Sequence, residues 1–404
     1  MRGEFVTIAE LDARLEGVRA RMRARELGGL IVADPANIYY LSGYDAWSFY
    51  TPQILFVPLD GEPILAMREM DALGAHRTAL KYAENVLGYP EPLVHHPDVH
   101  PMEWVARKLR DAGYARPMTV GFEGDAHFFA VRSYLSFLHE IPEWELVESR
   151  ELVNWVRLVK SDAEITLMRC AGAIASEAMR SAVAAIEEGV TLNVVAAQVL
   201  EAQARGVGPI DGDYPAIVPM FPQGESANTP HLTWSSTPVA TGEIVSVELA
   251  GVYQRYHSPL ARSVILGTPS RELDRVAGAT VEGINAALEE MKPGNTPEDV
   301  TAAWNAVMKR NGLRKDSRLG YSIGIGYPPD WGERTVSIRE GDETVFTENM
   351  TFHMIAGMWL AHDSFEVSES VRIGPRGAEV LTNCPRALIV KEDYERPDHY
   401  SLRA

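Results

Sequence analysis

The chain has 404 residues, enough for two to three domains of about 150 residues each. Lys and Arg total 38 against 56 Asp and Glu, a formal charge of −18, which disfavours nucleic acid because phosphate contacts need a basic face. Apolar residues make up 46% and charged residues 23%, values of a soluble globular protein rather than a disordered chain.

The first expected element is an amphipathic helix. Thr7 and Glu10 have capping-box spacing, and Leu11, Leu15, Val18 and Met22 follow at helical intervals. The apolar run from Gly28 to Ala33 predicts a buried strand, and Asp34 to Asn37 a turn. Ile54 to Val57, Pro63 to Met67 and Thr119 to Gly121 are further strand candidates, with helices near 101–112 and 125–139. His95, His96 and His100 crowd a proline-rich turn and are expected in a solvated loop. This alternation predicts a small α/β domain over residues 1–157 and a second domain over 158–404.

Ser161 and Glu164 form another capping box, with a helix expected to about Glu188. Gly189 stops it and Thr191 caps the next. Ser270 to Met291 is expected as a helix, and Thr296 with Pro297 starts another. Gly189, Thr191 and Val195 recur as Gly294, Thr296 and Val300, all offset by 105 residues. Strands are expected at 214–219 and 243–249 after the first helix pair, and at 350–357 and 365–373 after the second. The pattern predicts one domain of two similar halves, strands inside and helices outside, with a cleft as the default site.

Several motifs carry chemistry or deny it. Gly320-Tyr-Ser-Ile-Gly324 matches the nucleophile-elbow pattern, but the glycines and prolines up to Pro329 will not make the helix that an elbow needs. There is no HExxH and no Cys/His cluster. His231, His257, His353 and His362 are scattered along the second half. Glu248 stands in the apolar run Val245-Ser-Val-Glu-Leu-Ala250, where a carboxylate is costly without a partner. It is either an ion-pair partner of Arg255 or Arg262, or a desolvated base or nucleophile. Trp47, Phe49 and Tyr50 belong to a dense aromatic segment, either a core patch or a wall for a cation. Pro328 to Arg334 is expected as a stiff polar loop.

Cys170 and Cys384 make no disulfide framework and are expected as small buried hydrophobes of a reducing cytosol. No stretch reaches the roughly 18 apolar residues of a membrane helix, and the first 27 residues lack an apolar signal core. A cytoplasmic location without membrane contact is the expectation.

With these residues in view, the chain resembles the creatinase/prolidase/methionine-aminopeptidase superfamily. Its linker Arg157 to Ile165 is similar to the start of that superfamily's catalytic domain. Gly242-Glu243, Tyr256-His257-Ser258 and Arg262 are similar to its central strand pair. The resemblance implies a creatinase-type N-terminal α/β domain followed by a pita-bread catalytic domain with pseudo-twofold halves. Metal-dependent members carry two aspartates, a histidine and two glutamates. The matching positions here hold Glu248, Pro259, Tyr321, Ile355 and Ser368, which implies no dinuclear metal and no cofactor.

Within the superfamily, five segments resemble ectoine hydrolases: 37–50, 212–220, 230–234, 250–257 and 327–335. These enzymes open the cyclic amidine of ectoine to an N-acetylated diaminobutyrate. The resemblance weakens near 359–366. It implies Glu248 as nucleophile or base and His231 as proton carrier. Glu333 and Glu366 would pair with ring N–H groups, Tyr321 would donate to developing charge, and Arg334 would clamp a carboxylate. Asp213, Tyr214, His257 and His353 complete the implied substrate-binding set. Family geometry implies a homodimer in which Trp47, Phe49 and Tyr50 line the partner's site. The alternatives are a creatinase-like amidinohydrolase, a Xaa-Pro peptidase-like enzyme and an inert binding module. A creatinase-like enzyme would be expected to carry glutamates where Ala261 and Ser368 stand.

Overall fold

The computed structural model describes residues 6–391 and the backbone of 401–403. Packing divides the chain into two units, Met1–Arg157 and Leu158–Ala404.

In the first unit, α1 (Ile8–Ala24) buries Leu11, Leu15, Val18 and Met22 on one stripe. Only one arm of its capping box forms: the Thr7 side chain accepts from Glu10 N–H, while the Glu10 carboxylate goes to Arg14. Then come β1 (Gly29–Val32) and α2 (Pro35–Ser42). Asp34 is the N-cap of α2 rather than part of a plain turn, because its carboxylate takes the free Ala36 N–H and Pro35 suits the first helical position. The remaining elements are β2 (Ile54–Pro58), β3 (Ile64–Arg68), α3 (Glu69–Thr78), β4 (Val86–Tyr89), α4 (Pro101–Asp111), β5 (Met118–Phe122), α5 (Val131–Glu140), β6 (Trp144–Glu148) and α6 (Leu152–Arg157). The six strands order as β4-β3-β2-β1-β5-β6 in a mixed sheet. His100 departs from the solvated-loop expectation. Its ring caps α4 in a reciprocal box with Glu103 and is buried there.

The second unit begins with α7 (Asp162–Ala185) and α8 (Leu192–Arg205), followed by the paired strands β7 (Ile244–Tyr253) and β8 (Tyr256–Leu266). A second helix pair follows, α9 (Arg271–Glu290) and α10 (Pro297–Arg310). Then come β9 (Gly320–Tyr327), β10 (Asp330–Ile338), β11 (Thr351–Met358), β12 (Phe365–Gly374), β13 (Gly377–Val380), β14 (Leu388–Lys391) and β15 (Ser401–Arg403). They form one nine-stranded sheet, with β8 linking the halves through β9 and β14. The repeated glycines keep equivalent places: Gly189 and Gly294 both have positive φ just before a helix N-cap.

Helices α7 and α8 pack on β7 and β8 through Ala175, Ala178, Ala182, Val195 and Val199 against Val247, Leu249, Leu260 and Val264. The small residues of α7 let it approach closely. A Cβ on Gly251 of β7 would strike the α7 backbone at Ala171 and Ala175. Enlarging such an alanine overpacks the layer, at about 1–3 kcal/mol.

Three expectations fail here. Residues 214–219 form no strand: Ala216 N–H goes to a histidine ring, and the Asp213 N–H just before the segment goes to the Val252 carbonyl. Residues 330–334 are not loop but the start of β10, which turns back along β9 after Pro328 and Pro329. Cys170 and Cys384 are half-buried free thiols rather than core residues.

Candidate active site

Strand alternation builds the site. On β7, Val245, Val247 and Leu249 face the helices, so Ser246, Glu248 and Ala250 face the other side of the sheet. Register adds Ser263, Ala261, Pro259 and His257 from β8 beside them. On β11 and β12 the cross-strand pairs His353–Ser370, Ile355–Ser368 and Gly357–Glu366 continue this face, and Tyr321 of β9 pairs with His353. Side chains tie the strands together. Ala261 N–H donates to Ser368 Oγ at 2.7 Å, and Ser370 Oγ donates to the Pro259 carbonyl at 2.7 Å.

Glu248 and Glu366 are both buried, at 5% and 3% exposure. Neither carboxylate makes a salt bridge or side-chain hydrogen bond among the described residues, and Glu366 Oε1 is fully enclosed without a partner. The two expected arginine partners are committed elsewhere, Arg255 to Asp213 and Arg262 to Glu369. Desolvation, then the charge of Glu366, holds the Glu248 carboxyl well above the usual range. Desolvation pushes Glu366 up to about 7, opposed by the Lys315 ammonium. Burial pushes Lys315 down to about 8, opposed by Glu366.

The other groups on this face are neutral. His353 Nε2 lies 2.7 Å from Ser368 Oγ and its Nδ1 3.0 Å from Tyr321 Oη, which also accepts from Trp331 Nε1 at 2.8 Å. Burial drops His353 to about 3, so at neutral pH it relays a hydrogen bond and carries no charge. His257 donates from Nδ1 to the Arg255 carbonyl at 2.8 Å and accepts Ala216 N–H at Nε2, 2.9 Å away. Both ring nitrogens are used, and burial holds it down at about 3. Desolvation and the Glu248 charge raise the Tyr321 hydroxyl, which therefore stays a donor.

The structure thus brings together Glu248, Glu366, Tyr321 and His353 from the sequence set, with His257 on the same face. Glu333 is held in an ion pair. Its carboxylate pairs with Lys160 at 2.7 Å, both side chains fully buried. Asp213 holds Arg255 at 3.1 Å, and that guanidinium stacks 3.7 Å from the Tyr214 ring centroid. Arg334 sits on β10 with φ of 52° and is half-buried. His231 is exposed, also at positive φ, on a segment that runs beside β7: Phe221 N–H bonds the Leu232 carbonyl, and Met220 bridges Glu248. In the first unit Phe49 is buried while Trp47 and Tyr50 are 55% and 60% exposed. The Trp47 and Phe49 ring centroids lie 5.0 Å apart.

Sequence reasoning missed Lys315 and Arg318. The only sequence signal was a local basic run, Arg314-Lys315 then Arg318, in an acidic chain. The Arg318 guanidinium lies 4.4 Å from the Tyr321 ring centroid.

The residues do not fit a dinuclear metal centre. Pro259 and Ile355 offer no side-chain donor, Ser368 Oγ and both His353 nitrogens are hydrogen-bonded, and no cluster of three or more metal-binding side chains occurs among the described residues. No helix among them is long and apolar enough to cross a membrane.

A two-sided sheet unit with paired helices and a separate α/β unit before it define the class of protein. The chain belongs to metallopeptidase family M24, whose model matches residues 166–375, with a creatinase/prolidase N-terminal domain over 14–159. Among its relatives, the ectoine hydrolase of Halomonas elongata is 42% identical over 95% of this chain and 98% of its own length. A Xaa-Pro dipeptidase of Pyrococcus furiosus is 23% identical over 94% of this chain and 100% of its own. The prolidase structure of Thermococcus sibiricus superposes with a TM-score of 0.81 at 19% identity, covering 94% of this chain and 99% of that one, and confirms the pita-bread fold.

Proposed function

We propose that this protein is a hydrolase that opens the cyclic amidine of ectoine, or of a close analogue such as hydroxyectoine, to an N-acetylated diaminobutyrate without a metal ion. The observation that carries the reading is the pair of buried, unpartnered carboxylates Glu248 and Glu366 on a face whose other central groups are neutral. Such a face favours a small cation, because each carboxylate is costly until a positive group meets it. An amidinium is planar, cationic and electrophilic at carbon, and the 42% identical relative is named for a substrate of that kind.

Glu248 supplies the oxygen, either its own as nucleophile or that of a water it deprotonates. A C–O bond forms at the amidinium carbon as the C=N electron pair moves to nitrogen. Then one ring C–N bond breaks, and the leaving nitrogen takes a proton. When Glu248 is the nucleophile, water attacks the same carbon and releases the carboxylate. Glu366 accepts a ring N–H, and Tyr321, fixed by Trp331 and His353, donates to the developing charge. His231 is the proposed proton carrier. The protein acts as a cytoplasmic homodimer, and Trp47, Phe49 and Tyr50 of each protomer serve its partner's site.

Ectoine incubated with purified protein, followed by NMR, should lose its ring signals and gain an N-acetyl group. An intact ring after prolonged incubation rejects the reading. For the shared site, mixing inactive Trp47→Ala and Glu248→Ala proteins should restore activity. Subunit exchange without recovery rejects that part.

A further inference from the structure

Lys315 is a cation for which the proposed reaction has no use. It lies in the connection between α10 and β9. Its ammonium donates to the Gly357 carbonyl at 3.0 Å and to Ser317 Oγ at 2.6 Å, and sits 4.3 Å from the Trp359 ring centroid. No carboxylate comes within salt-bridge distance of it among the described residues. Gly357, whose carbonyl holds the ammonium, is the cross-strand partner of Glu366, one strand spacing of about 5 Å away. Trp359 can fold back there only because Gly357 lacks a side chain: a Cβ would strike the indole.

Lys315 also lines an open cavity of about 870 Å³. Five basic side chains line it against two acidic ones, in a chain whose net charge is −18. Arg318 lines the same cavity and lies against Tyr321, so the cationic cavity adjoins the anionic site face. One side therefore favours a cation and the other an anion. A half-buried ammonium held by neutral groups gains most from a carboxylate that arrives with the ligand.

We propose that Lys315 is the specificity residue that binds the carboxylate of a small zwitterionic substrate, whose cationic ring faces Glu248 and Glu366. This rests on the reading of the site given above and assigns to Lys315 the contact expected of Arg334. Two compounds test it, ectoine and the same methyl-substituted cyclic amidine lacking the carboxylate. They are assayed and titrated by calorimetry with the wild-type protein and the Lys315→Met and Arg334→Met variants. Lys315→Met should weaken ectoine binding about 10- to 100-fold, the worth of a charge-assisted hydrogen bond, and raise KM more than it lowers kcat. It should leave the carboxylate-free ring unchanged, and Lys315→Arg should restore part of the loss.

Unchanged ectoine affinity in Lys315→Met overturns the proposal. So does an equal loss with both compounds, which marks a structural role, or a selective loss in Arg334→Met alone. Ectoine that binds but is not opened rejects the hydrolase reading while the Lys315 comparison stands. If neither compound binds, both readings fall.

Discussion

Two buried charged pairs lie on opposite faces of the same sheet, and their surroundings differ completely. Arg262 of β8 faces the helix side. Its guanidinium bonds Glu369 at 2.7 Å and the carbonyls of Pro385, Ala261, Ser368 and Cys384. Glu369 is further held by Thr382. Every charge there is answered within the fold. One residue along, on the other face, Ala261 stands beside Glu248, which with Glu366 has no such answer among the described residues. A pair that is satisfied locks strands together. A pair that is left open costs stability and is explained by the ligand that completes it.

Removing the first pair should give the largest effect on folding. Arg262→Met leaves buried Glu369 only the longer, more exposed contact to Arg386 at 3.5 Å, so unfolding in denaturant should show a loss of about 3 kcal/mol, the low end for a broken buried pair. Glu248→Gln should do the reverse: turnover of ectoine falls at least about 100-fold while the melting temperature holds or rises, because a buried carboxyl without a side-chain partner is replaced by a neutral group of the same shape. A large stability loss in Glu248→Gln would erase the distinction between the pairs. Near-normal turnover would remove Glu248 from the chemistry and leave a histidine-activated water as the better mechanism.

A smaller effect separates the pairs by pH. With its folded-state value raised to about 7, Glu366 keeps its proton where the unfolded chain has lost it. The native state then binds more protons, so this group's contribution to stability declines as pH rises from the ordinary carboxyl range through about 7. The slope for one proton is about 1.4 kcal/mol per pH unit. Glu366→Gln should remove that slope from the unliganded protein, measured as unfolding free energy across the interval. The buried histidines work with the opposite sign: His257 and His353, held near 3, resist protonation and favour the fold as pH rises to about 6.5. An unchanged profile in Glu366→Gln would mean that its proton is not bound in the native state.

Much of this was legible in the sequence where local signals and tertiary demands agree. The caps at Ser161 and Thr296, the apolar stripes of α1 and the core strands are all properties of a few neighbouring residues. Glu248 stood out because a carboxylate in an apolar strand run has no cheap local explanation. What was not legible depended on distant partners. The Glu333 ion pair rests on Lys160, 173 residues away, and no local pattern announces it. Residues 214–219 read as strand until the His257 ring takes the Ala216 N–H. Lys315 carries no local signal beyond a short basic run, and only the return of β11 places the Gly357 carbonyl against it, with Glu366 on the next strand.

The smallest effect expected is none, and it bears on the open pair most directly. In a metal enzyme of this architecture the cations that answer Glu248 would be metal ions, and those ions would need further donors around it. Register places Pro259 beside Ala250 and Ile355 beside Ser368, and neither side chain has a lone pair to give. His353, the one imidazole near them on β11, spends one nitrogen on Ser368 and the other on Tyr321. A metal bound here would have to break that chain and still find only one or two carboxylates, far from the oxygen-rich or mixed sets that hold divalent ions. Dialysis against a strong chelator should therefore leave ectoine turnover within assay error, and added manganese or zinc should not raise it. Loss on chelation with recovery on metal addition would show that the pair is answered by an ion rather than by the substrate's own charge.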